Sequence, residues 1–170
     1  MKKQIFLAIT LLLITAGIAA AQKKFYNKEF KFGFTYPPGA KVNKALDTID
    51  QTTDLTPLAY LDMPNTGRGL YELAAYISAG NITRAACNAL STAEDTPQKK
   101  KFGTITFAKT AYVEGGMESS QPREYYRTFQ GGTCYEVRLM LSMDKYPKHP
   151  INTNAAFARL YPILRTFYIK

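Results

Sequence analysis

The sequence predicts an α+β fold, an antiparallel sheet with helices packed on it, and three observations lead there. Apolar and aromatic residues recur at every second position in stretches separated by turn residues. The period changes to threes and fours in one short stretch midway and in another near residue 160. No linker, internal repeat or low-complexity tract divides the chain. The 170 residues therefore divide into a leader over residues 1–21 and a single domain over residues 22–170, large enough for one core.

The leader is written in the first residues. Met1, Lys2 and Lys3 precede an apolar run over residues 5–18 and then Ala19, Ala20 and Ala21, the pattern of a secretory signal peptide. The run is shorter than the ~20 apolar residues that a bilayer span needs. Cleavage between Ala21 and Gln22 is expected, with no stable membrane span and a periplasmic or secreted destination. No cysteine follows the cleavage site to accept a lipid.

The domain opens on FKFGFTYPPGAKV, where Phe30, Phe32, Phe34 and Tyr36 alternate and so share one buried face of a strand. Pro38 and Gly39 suit the central positions of a type II turn and end it. Residues 40–56 read as a surface loop. Residues 58–61 (LAYL) and the alternation of Tyr71, Leu73, Ala75 and Ile77 read as a strand pair joined through residues 64–67. At Gly80 and Asn81 the period changes: Ile82, Ala85, Ala86, Ala89 and Leu90 follow helical spacing, with Asn81 as N-cap, and the helix carries Cys87. Asn81, Ile82 and Thr83 also form a glycosylation sequon.

Residues 102–108 and 110–113 read as strand, and residues 115–122 as a polar surface loop. REYYRTFQ and TCYEVRLMLSM, joined by Gly131 and Gly132, give the clearest hairpin signal in the chain. In its second arm Tyr135, Val137, Leu139, Leu141 and Met143 share a face; Cys134, Glu136, Arg138, Met140 and Ser142 share the other. Cys134 and Met140 require cover, which a helix bearing Cys87 would supply. Near the end Asn154 caps an amphipathic helix that Pro162 must kink or shorten, and residues 166–169 form a short strand or extended tail.

Cys87 and Cys134 are the only two cysteines. Export and an even count point to one structural disulfide; two buried free thiols are the alternative. The bond would close a loop of ~47 residues and contribute about 4 kcal/mol in the chain-entropy account. The formal net charge of +9 becomes about +7 once Lys2 and Lys3 leave with the leader. The lysines are scattered, at 23, 24, 28 and 31, at 99 to 101, and at 145 and 148. This is a solvated basic surface with a weak preference for anionic envelope surfaces. Basic residues are not interleaved with exposed aromatics as nucleic-acid binding requires.

Reactive constellations are missing. His149 is the only histidine, set between prolines in a loop, and no nucleophile elbow accompanies it. Two cysteines and one histidine do not make a metal site. Gly67, Arg68 and Gly69, like Gly131 and Gly132, lack the following helix of a phosphate loop. Glu72, Glu114, Glu118, Glu124 and Glu136 offer carboxylates with no pair singled out, and Glu136 reads as a charge partner of Arg138. Tyr125 and Tyr126 beside Arg123 and Arg127 offer a recognition surface of rings and guanidiniums. On alternation Tyr125, Arg127 and Phe129 share one face, with Tyr126 and Thr128 on the other.

Three segments together resemble the PsbP-like family, in particular its bacterial exported members: the opening FYNKEFKFGFTYPPGAKV, the hairpin EYYRTFQGGTCYEVRLML and the closing FARLYPILRTFYI. The resemblance covers nearly the whole domain and rests on packing and turn motifs. It implies an α/β/α sandwich around a central antiparallel sheet, and a non-enzymatic binding or assembly role, with no binding residues carried over. The expectation is an exported, non-enzymatic binding or accessory protein of the cell envelope, without cofactor, whose partner is an unknown protein or envelope component. Two rival readings are a hydrolase of an envelope polymer using a carboxylate pair and a carrier of a small apolar ligand.

Overall fold

The structure, a computed structural model, describes residues 22–43, 54–64, 69–90, 96–116 and 118–170. The leader, with Ala21, and the connection at residues 65–68 lie outside the described residues. Seven strands form the large sheet: β3 (Lys41–Asn43), β4 (Thr56–Asp62), β5 (Leu70–Gly80), β6 (Gln98–Phe102), β7 (Ile105–Gly115), β8 (Ser119–Gln130) and β9 (Thr133–Asp144). Their order is β3-β4-β5-β9-β8-β7-β6, antiparallel throughout. β1 (Lys23–Asn27), β2 (Phe32–Tyr36) and β10 (Tyr168–Ile169) form a small sheet in the order β1-β2-β10. Among the described residues there are three single-turn helices: α1 (Arg84–Ala89), α2 (Thr153–Ala158) and α3 (Tyr161–Arg165).

Alternation decides which face of the large sheet is core. Leu73, Ala75 and Ile77 of β5, Val137, Leu139 and Leu141 of β9, Phe107 of β7 and Tyr126 of β8 are buried in one cluster. Against them lie Phe32 and Phe34 of β2, Phe157 and Leu160, Ile163 and Leu164, and Phe167. Phe167 stacks on Phe32 at 5.3 Å and meets Phe107 edge-on at 5.9 Å, which ties the small sheet to the large one. Each fully buried large side chain contributes on the order of 2 kcal/mol. The cover on this inner face is therefore a three-stranded sheet plus α2 and α3. The opposite, outer face carries only α1 among the described helices, so the fold is a sheet-rich α+β with few, short helices.

Several expected boundaries move, each for a local reason. The aromatic ladder starts at Phe32: Asn27 Oδ1 accepts the Phe30 amide at 2.9 Å, closing a turn that places Phe30 outside the strand and Lys31 at φ 51°. Pro37 to Ala40 form the type II turn, with Gly39 at φ 85° and the Ala40 amide donating to Pro37 O at 3.3 Å. Residues 40–56 hold β3, and residues 44–53 lie outside the described residues. The stretch 102–108 is a hairpin rather than one strand, turning at Gly103 with φ 57° and pairing Phe102 with Ile105. Residues 115–122 are mostly strand. Pro122 pairs with Val113 on β7, while the β8 to β9 register skips from Ser120 to Arg123, so the missing Pro122 amide faces a gap in the ladder.

The helices are also shorter than their periodicity suggests. Thr83, not Asn81, caps α1, its hydroxyl accepting the Ala86 amide at 3.1 Å. Asn81 instead accepts from the Thr133 hydroxyl at 2.9 Å. Asn152, not Asn154, caps α2. Pro162 starts α3 rather than kinking a longer helix, since a first-turn position has no amide to lose. Residues 168 and 169 do form a strand, paired with β2.

Candidate functional site

The outer face of the large sheet takes every residue that alternates away from the core. Strand register then lines them up in rows. One row crosses five strands: Tyr60 on β4 opposes Tyr76 on β5, Tyr76 opposes Arg138 on β9, Arg138 opposes Tyr125 on β8, and Tyr125 opposes Thr110 on β7. The next row includes Met140, Arg123 and Tyr112, and the row on the other side Ser78, Glu136, Arg127 and Ala108. The result is a lattice of rings and guanidiniums.

Its contacts are specific. The Tyr60 and Tyr76 rings lie 4.9 Å apart, and both hydroxyls donate to Glu72 Oε1 at 3.0 Å. Arg138 sits over the Tyr76 ring at 4.6 Å, and Arg127 over the Tyr125 ring at 4.9 Å. Tyr112 and Tyr125 stack at 5.7 Å, with the Tyr125 hydroxyl donating to the Tyr112 oxygen at 3.2 Å. Arg123 donates to the Tyr112 oxygen at 3.0 Å and to Gln121 at 2.7 Å, and it is ion-paired with Glu114. Burial, and then the Glu72 charge, raise the Tyr60 and Tyr76 phenols well above the usual range. Burial also raises Tyr125, helped by its bond to Tyr112. All three rings thus stay neutral donors.

Arg138 stands apart from the other arginines of this face. Arg127 donates to Glu136 at 2.6 Å and Arg123 has Glu114, whereas Arg138 makes no ion pair among the described residues; its Nε, like that of Arg123, is buried without a hydrogen-bond partner. A guanidinium resting on the Tyr76 ring with no carboxylate of its own is a partner for an external anion.

Of the residues singled out in the sequence, Arg123, Tyr125 and Arg127 are brought together on this face, while Tyr126 points into the core. The expected Glu136 to Arg138 pairing is replaced by Glu136 to Arg127, because the cross-strand neighbour is nearer than the residue two places along the strand. Tyr71 does not continue the Leu73, Ala75 and Ile77 face: a register shift between Leu70 and Glu72 turns it out, 59% exposed. Tyr60, Tyr76 and Tyr112 were missed. Their signal was present, one tyrosine at an outward position of each of β4, β5 and β7.

The glutamates are dispersed. Glu124 is on the inner face, bonded to Lys109 at 2.5 Å, Tyr126 at 2.7 Å and Tyr161 at 3.3 Å. Glu72 and Glu136 lie six positions apart along neighbouring strands, about 20 Å, and Glu72 and Glu114 are three strands apart, about 14 Å. Glu72, Glu114 and Glu136 are each engaged by a tyrosine or a basic residue, while Glu118, exposed just before β8, lies near enough to Tyr71 to act on its phenol together with Asp144. His149 is exposed beyond β9. Among the described residues no three metal-ligating side chains cluster, and no helix is long and apolar enough to cross a membrane. The space between sheet and helices, where an apolar ligand would sit, is packed with Phe157, Leu160, Ile163 and Leu164.

Cys87 on α1 and Cys134 on β9 are joined, with Cα atoms 5.7 Å apart. With Leu55 they form a second buried cluster on the outer face, against Ile82, Leu90 and Phe129. The bond holds α1 over one end of the tyrosine and arginine lattice, covering Cys134 but not Met140, which remains half-buried.

No family model and no curated protein matches this sequence. Among solved structures the chain is similar to a protein of Bacteroides thetaiotaomicron, with a TM-score of 0.58 and 16% identity, over 88% of this chain and 48% of that one. It shares that fold. The chain spans about half the length of that relative. It is also similar to LpqN of Mycobacterium tuberculosis, described as involved in cell envelope biogenesis, with a TM-score of 0.47 and 9% identity over 89% and 87% of the two chains. Cyanobacterial PsbP (CyanoP) of Synechocystis sp. PCC 6803 matches with a TM-score of 0.41 and 11% identity over 91% and 96%.

Proposed function

We propose that the chain is an exported, non-enzymatic accessory protein of the cell envelope that holds an acidic envelope component on the outer face of its large sheet. Arg138 carries this reading: a half-buried arginine at the centre of a five-strand row, paired in register with Tyr76 and Tyr125, with no carboxylate partner among the described residues. Arginine and tyrosine are the residues that dominate recognition surfaces, because both present rigid, partly apolar area with a fixed polar edge. Export is supported by the basic start and apolar run of residues 1–21 and by a buried disulfide, a bond that persists in oxidising compartments. The dispersal of the glutamates supports binding over hydrolysis.

The test is retention of the purified protein on isolated envelopes. Arg138→Ala and Tyr60→Ala, with the fold checked by circular dichroism, are expected to weaken retention by about tenfold, the loss of one charge-assisted contact or one ring contact. Wild-type retention by both variants would remove the outer face from the account.

A further inference from the structure

Between α1 and the β6 to β8 end of the outer face lies a cleft made of two adjoining hollows of about 400 and 310 Å³. Three cations from three separate elements line it: Arg84 of α1, Lys99 of β6 and Arg127 of β8. No aspartate or glutamate among the described residues lines either hollow. The remaining polar lining is uncharged and includes Asn88 and Thr110. The Cys87–Cys134 bond fixes α1 as one wall.

Arg127 is already ion-paired with the buried Glu136, whereas Arg84 and Lys99 have no such partner among the described residues. Glu136 takes the Nε of Arg127 at 2.6 Å, and the Thr110 hydroxyl reaches its Nη1 at a long 3.5 Å. Arg84 lies over the Phe129 ring at 4.7 Å, and among the described residues no carboxylate pairs with it or with Lys99. Arg127 is only 6% exposed and committed to Glu136, so Arg84 and Lys99, both at exposed positions, are the cations that an external oxyanion would meet. The volume is at the lower end of small-ligand pockets, the size of a single sugar ring. Amide and hydroxyl groups beside Arg84 and Lys99 match a ligand bearing several hydroxyls and one oxyanion.

We infer that this cleft binds an anionic sugar, a saccharide unit carrying a carboxylate or a phosphate. The inference rests on the reading of the outer face as the binding surface and names the chemistry that the surface recognises. Arg127 joins the two, because the same guanidinium lines the cleft and lies over Tyr125. A polymer of such units would place one anionic unit in the cleft and lay its neighbours along the tyrosines.

Titration calorimetry of the oxidised protein with glucuronate, glucose 6-phosphate, glucose and inorganic phosphate tests it. Glucuronate or glucose 6-phosphate is expected to bind at least about tenfold more tightly than glucose and than inorganic phosphate, and which of the two binds identifies the anion. Arg84→Ala and Lys99→Ala, both at exposed positions, should each weaken that binding by about tenfold. Absence of binding, equal affinity for glucose, equal affinity for inorganic phosphate, or unchanged binding by both variants would each overturn it. If Arg138→Ala still loses envelope retention while no sugar binds, the cleft assignment alone falls; if neither effect is seen, the outer-face reading falls as well.

Discussion

A tyrosine hydroxyl buried beside a carboxylate is a poor acid, and this governs how the protein meets alkali. Tyr60 and Tyr76 are raised by burial and then by Glu72, and Tyr126 by burial and then by its bond to Glu124. In the unfolded chain the same phenols ionise near pH 10. The folded state therefore holds more protons than the unfolded state once the pH passes about 10, and stability falls from there upward, toward the higher folded values. Ultraviolet titration of the twelve tyrosines should show a late group ionising only together with loss of the fold. A single smooth titration near pH 10 with the fold intact would contradict it. Alternation along REYYRTFQ made the split between Tyr125 and Tyr126 readable in advance. The partners of Arg138 and Arg127 were not readable, because cross-strand neighbours depend on register, and register is set by turns and skipped pairs elsewhere in the sheet.

At the level of single elements, α1 is the piece most dependent on one covalent bond. It is a single turn, too short to hold itself, and its buried residue is Cys87. The cluster around the disulfide is separate from the main core, so its loss need not disturb the inner face. Cys87→Ser with Cys134→Ser is expected to lower stability by about 3 to 4 kcal/mol in denaturant titration. In hydrogen exchange the variant should lose protection at Cys87 and Leu90, whose amides bond within the turn, and keep it along β5 and β9. Equal loss along those strands would show that the bond supports the whole sheet. The helical periods in the sequence located α1, α2 and α3 but overstated their length. Asn81, Thr83, Asn152 and Asn154 are all competent caps, and only tertiary contacts such as Asn81 with Thr133 select among them. Pro162 shows a similar limit: its effect depends on whether it falls inside a helix or at its start.

For the molecule as a whole, charge and connectivity dominate. Lysines 99 to 101 are exposed along β6, an edge of the large sheet, where they also discourage pairing with another chain. With Lys23, Lys24, Lys145 and Lys148, likewise exposed, they give a diffuse basic surface. Retention on anionic vesicles should therefore be measurable at low salt and fall steeply toward ~0.5 M salt. Absent or salt-independent retention would dismiss the electrostatic contribution. The sheet-rich class was legible because period-two patterning survives any tertiary arrangement. The three-stranded cover was not, since β10 is only two residues long and is defined by its partner. That partner lies at the far end of the chain: Thr35 and Thr166, bonded through their hydroxyls at 2.9 Å, are 131 residues apart, and the Lys170 amide closes on Lys31 O at 2.8 Å. A ribosome must finish residue 170 before the first strands acquire their third neighbour, so the fold is sealed last where it was synthesised first.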